Sequence, residues 1–148
     1  IKYSMGYIGG EFDGLLLKNL MSNYLISFDL YDQKSKFEIK SSISHTSDPY
    51  ITNLDNTSDR AKIETKLVID IVDKTHDCNV QTFIRDISQF YIFADSSNYI
   101  SNNKAVDKIK KENTEALVKN FINTLNSPSY ECKKTDILRK KLLSIRNE

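Results

Sequence analysis

SDRAKIETKLVIDIVDKTHDCNVQTFIRDISQFYIF, residues 58–93, sets two apolar-patterned runs on either side of a polar tip. In the first run Ala61, Ile63, Thr65, Leu67, Ile69 and Ile71 share one parity, while Lys62, Glu64, Lys66 and Asp70 take the other. Successive strand side chains point to opposite faces, so this alternation predicts an antiparallel strand with one covered and one solvated face. DKTHDCN supplies the turn, and a return strand follows from Val80 to Phe93. Its strict period lapses near Arg85 and Asp86, where a bulge is expected.

Working outward, Ile1, Tyr3, Met5 and Tyr7 alternate with polar residues and small ones and read as a short strand closed by Gly9 and Gly10. Phe12, Leu15, Leu16, Leu20 and Tyr24 then recur at three- and four-residue steps, the stripe of an amphipathic helix from Glu11 to Ile26. Phe37, Ile39, Ser41 and Ile43 alternate with Glu38, Lys40, Ser42 and Ser44 as a further strand, and the turn-rich SDPYITNLDNTSD joins it to the hairpin. After the hairpin, Ser96 to Leu125 reads as a long helix burying Val106, Ile109, Ala116, Leu117, Phe121 and Leu125. Thr135 or Asp136 can cap a last short helix carrying Ile137, Leu138, Leu142 and Ile145. The order β-α-β-β-β-α predicts an α+β fold, with two long helices on one face of a four-stranded, mostly antiparallel sheet. The hairpin is expected at its centre. Residues 1–126 form the domain, and 127–148 a basic helical extension of it.

The chain has 148 residues, enough for one core without metal or disulfides. Its 21 basic and 20 acidic residues nearly cancel, so no whole-protein field points to nucleic acid as a partner. No apolar run approaches the roughly 20 residues of a membrane-spanning helix. The start at Ile1, without an initiator methionine or signal-peptide pattern, is expected of a trimmed or mature form. Cys78 and Cys132 make no metal motif and no CxxC pair. They are read as unpaired thiols, with a single disulfide in an oxidising compartment as the alternative.

Candidate chemistry is sparse. His76-Asp77-Cys78 could offer a thiol beside an imidazole, but a tight turn provides no walled pocket, and a solvated turn is the better reading. His45 near Asp48 lacks the further spaced ligands of a metal site. GxGxxG, P-loop and GxSxG patterns are absent. The third strand offers no aromatics for a base-stacking sheet. A non-enzymatic protein without cofactor is therefore expected. Two basic groups remain, Arg60, Lys62 and Lys66 with Arg85 on the hairpin, and Lys104 and Lys108 near the start of the long helix. The segment from Glu131 to Glu148 adds six basic residues against three acidic ones.

YIGGEFDGLLLKNLMSNYL at 7–25, DRAKIETKLVIDIVD at 59–73, VQTFIRDISQFYIF at 80–93 and SSNYISNNKAVDKIKKENTEALVKNFINTL at 96–125 give the order of elements a family likeness. It resembles the LPS-assembly lipoprotein family (LptE), a subunit of the outer-membrane lipopolysaccharide translocon, over residues 1 to 126. The resemblance implies a periplasmic lipoprotein that plugs a large β-barrel, LptD, and meets lipopolysaccharide. It implies attachment to the outer membrane by a lipid on an N-terminal cysteine that this sequence lacks. The family's basic position before the third strand falls near Asn56, with Arg60 the nearest cation, and its second falls near Asn102, with Lys104 nearest. Arg60, Lys62, Lys104 and Lys108 are accordingly the expected lipopolysaccharide contacts. The alternative reading is another periplasmic accessory lipoprotein, such as an ABC-transport auxiliary component.

Overall fold

The computed structural model describes residues 1–51, 58–92, 99–125 and 130–132, the side chains at 11–12, 49–51, 58–59 and 99–102 excepted. Along the chain run β1 (Ser4–Gly9), α1 (Glu11–Ser27), β2 (Phe37–Ile51), β3 (Ser58–Asp73), β4 (Cys78–Ile92) and α2 (Tyr99–Asn123). The strands form one sheet in the order β1-β2-β3-β4, with β1 parallel to β2 and the other pairs antiparallel. The fold is α+β, as the sequence pattern predicts. The expected C-terminal helix lies outside the described residues.

Parity along β3 decides the layers. Ile63, Leu67 and Ile69 are fully buried, whereas Lys62, Glu64 and Lys66 lie on the face without helices. α1 covers β1 and β2, and α2 covers β3 and β4. Gly10 makes the tight entry into α1 at φ 122°, where a Cβ would lie 2.8 Å from the Ile43 carbonyl oxygen. Only glycine fits both the angle and the gap. None of the described helices is long and apolar enough to cross a membrane.

Five details differ from the sequence reading. β4 is an edge strand and β2 shares the centre, because the β1-α1-β2 crossover stacks β1 outside β2 and leaves the hairpin on the other side. In β1 the register shifts between Met5 and Ile8, so Tyr3 is buried but Tyr7 is exposed. In α1 the fully buried residues are Leu17, Met21 and Leu25, with Leu16, Leu20 and Tyr24 half-buried and Leu15 exposed. The irregularity of β4 falls at Val80, between the pairs Ile71–Gln81 and Val72–Asn79. Arg85 instead pairs regularly with Leu67, exposed at the sheet edge, its guanidinium 5.3 Å from the Phe83 ring centroid.

The fifth is the cysteine pair, which forms a disulfide between Cys78 at the start of β4 and Cys132 beyond α2. Sequence separation alone hides this proximity, which arises because α2 returns along the sheet to the hairpin turn. Tyr130 supports the same return. Its hydroxyl lies 2.6 Å from that of Tyr3, and its ring packs 5.0 Å from Phe37. Residues 130–132 are thereby tied to the core.

Candidate functional site

The expected lipopolysaccharide contacts occupy one end of the molecule. Arg60 and Lys62 have the solvent-facing parity of β3, with Lys62 3.9 Å from Glu64. Lys104 and Lys108 are exposed on α2, and Lys108 lies 4.0 Å from Glu112. Asn113 of α2 donates to Thr65 of β3, and Phe121 packs against Phe83, so the first turns of α2 run toward the start of β3. From that crossing, a helix rise of ~1.5 Å per residue puts Lys104 about 13 Å away. A strand rise of ~3.3 Å puts Arg60 about 17 Å away in the same direction. The two pairs therefore share an end of the sheet but sit on opposite layers, two cations on each. A ligand meeting all four would wrap that end.

Beneath this end lies a polar chain that the sequence did not reveal. Gln89 donates to the Asn113 side-chain oxygen at 2.7 Å, and the Asn113 amide donates to the Thr65 hydroxyl at 3.1 Å. Thr65 is in turn 2.7 Å from His45 Nδ1. With the hydroxyl donating to Nδ1, the other ring nitrogen carries the proton, 3.9 Å from Asp13. Burial holds the His45 pKa below its ordinary value, Asp13 opposes the shift, and Lys110 reinforces it. A neutral imidazole completes the chain without leaving a buried polar group unpaired. Asp48 belongs to the opposite face, paired in register with Lys62, so it never joins His45. Strand parity held that separation in plain view. The role of Asn113, within a run of charged helix residues, had no sequence signal.

His76 is exposed at the β3–β4 turn and bonds Asp73, while Cys78 is held in the disulfide and offers no thiol. One surface cleft lies between α1 and α2, lined by Tyr24, Phe28, Lys119, Ile122 and Asn123. Another on the open sheet face is lined by Tyr7, Lys40, Ser42, Val68 and Asp70 among others. Neither gathers a histidine, a cysteine or a pair of carboxylates.

Solved structures share this architecture. Rare lipoprotein B from Shewanella oneidensis superposes with a TM-score of 0.69 at 10% identity, over 84% of this chain and 93% of that one. A minor lipoprotein from Acinetobacter baumannii gives 0.64 at 10% identity, over 90% and 96%. Lipoprotein B from Nitrosomonas europaea gives 0.57 at 12% identity, over 82% and 81%. No family model matches the sequence, and no curated protein is similar to it. The likeness is one of fold: this chain has the fold of these lipoproteins.

Proposed function

We propose that this chain is an LptE-family subunit of the outer-membrane lipopolysaccharide translocon. In this reading it is not an enzyme. It sits at the periplasmic face of the outer membrane, held by a lipid anchor borne outside this sequence, and plugs and helps assemble the LptD barrel. The carrying observation is a lipoprotein fold shared over most of the chain, without a catalytic constellation among the described residues. The Cys78–Cys132 disulfide supports an oxidising compartment such as the periplasm. A self-contained core suits a plug, which must be stable alone, and its open sheet face offers a partner both charges, such as Lys62, Glu64 and Lys66, and the exposed apolar side chains of Ile84, Phe90 and Ile92.

Lipopolysaccharide is the proposed ligand of the end formed by Arg60, Lys62, Lys104 and Lys108. Cations there pair with lipid A phosphates, and Arg60 can do so bidentately. Exposed ion pairs are weak singly, so removing one charge should reduce binding by less than about fivefold. Arg60→Asp with Lys104→Asp adds repulsion and should weaken binding to purified lipopolysaccharide by about tenfold or more, leaving fold and barrel association intact. Added salt should weaken binding of the parent protein. Equal binding by parent and double variant, insensitive to salt, would remove these residues from ligand contact and leave a structural plug.

A further inference from the structure

The hairpin turn gathers a set of side chains able to ligate a metal, apart from Arg60, Lys62, Lys104 and Lys108. Asp73, His76 and Cys132 each bring a ligand atom within 4.8 Å of the others, and Cys78 is bonded to Cys132. Asp73 ends β3 and Cys78 begins β4, both buried, while His76 stands on the turn between them. We propose that reduction of the disulfide opens a zinc(II) site made of both thiolates, the His76 imidazole and the Asp73 carboxylate.

The geometry is already close to that arrangement. Tetrahedral zinc takes N, O and S ligands at ~2.0–2.3 Å, which spaces the ligand atoms about 3.3–3.8 Å apart. His76 Nδ1 lies 2.9 Å from Asp73 Oδ2, and the two cysteine Cα atoms are 5.7 Å apart. Small side-chain adjustments would therefore admit the ion without moving the strands. The carboxylate is also held in place. Its Oδ1 accepts from the backbone N–H of Thr75 at 2.9 Å and of His76 at 3.2 Å, while Oδ2 faces the imidazole.

The chemistry is exclusive between two states. While the sulfurs are bonded to one another they are poor donors, leaving only Asp73 and His76. A phosphine reductant takes one water and the disulfide to two thiols and a phosphine oxide. Zinc(II) then replaces one proton on each thiol, releasing two protons and forming two metal–sulfur bonds. Either linkage, S–S or S–Zn–S, ties residue 132 to the hairpin turn, so the same tether would survive a change of redox state.

The test uses the whole chain, stripped of metal with a chelator, in oxidised and phosphine-reduced forms. Zinc chloride is added, unbound metal removed by gel filtration, and retained zinc and released protons measured. The reduced chain should retain one zinc and release two protons. The oxidised chain should retain none. Cobalt(II) in place of zinc should give a thiolate-to-metal charge-transfer band in the reduced chain alone. His76→Gln, at an exposed turn position, should weaken zinc binding at least about tenfold, whereas Lys74→Gln should not. If reduction loosens the fold, zinc should restore its circular dichroism and raise its melting temperature. Equal zinc retention in both redox forms, no thiolate band with cobalt, or unchanged affinity in His76→Gln would each overturn the site.

Discussion

Leu67 is fully buried, paired with Ile43 on β2 and Arg85 on β4, beneath the helices. Truncating it to Ala should cost about 2–5 kcal/mol in urea unfolding, since the two-layer packing cannot collapse fully into the space left behind. A loss below about 1 kcal/mol would mean that this face is not sealed. His45 makes a pH prediction. The folded protein holds it below its ordinary value of 6.5, so on acidification the unfolded chain takes up its proton first. Its contribution is present above that value and is lost as pH falls toward the folded-state pKa. Thermal unfolding midpoints should fall as pH drops from 7 to 5, and His45→Gln should flatten this slope. Asp73 acts only further down, below its ordinary 3.8, so the two windows separate. An unchanged slope in the variant would exclude His45 as the source. Parity made the facing of Leu67 legible, but the burial of His45 was not. A lone histidine beside serines carries no sign of the Thr65 and Asn113 partners that approach from β3 and α2.

Among the elements, β3 was the most legible because its two faces differ so sharply in polarity. α1 was less so, for a physical reason. Leu15, Leu16 and Leu17 spread apolar surface around most of one turn, and the sheet selected the Leu17, Met21 and Leu25 stripe over the one that period alone favoured. The edge position of β4 depends on which neighbour the β1-α1-β2 crossover places beside β2, a matter of topology that the β4 residues do not encode. The Cys78–Cys132 bond likewise follows from how α2 returns along the sheet. It closes a loop between residues 54 apart in sequence. Constraint of the unfolded chain by a loop of this size is worth about 4 kcal/mol, and about 2–4 kcal/mol is the usual yield. Reduction in the presence of a chelator should therefore lower the unfolding free energy by about that amount. No change in the denaturant midpoint would show that the link adds nothing to stability.

At the scale of the whole molecule, the order of elements was readable enough to carry a likeness of fold, and solved lipoprotein structures share that fold at identities of 10% and 12%. The cation end was legible as residues but not as a surface, since placing Arg60 and Lys62 on one layer and Lys104 and Lys108 on the other requires the sheet and α2 together. The central claim is that the chain works as the plug of an outer-membrane barrel. Affinity isolation of the tagged, full-length protein from detergent-solubilised outer membranes of its native cell addresses this directly. The account predicts recovery of one large β-barrel protein in near-equal amount, resistant to salt. Recovery of inner-membrane transporter subunits without such a barrel would contradict it and favour an ABC-transport auxiliary role.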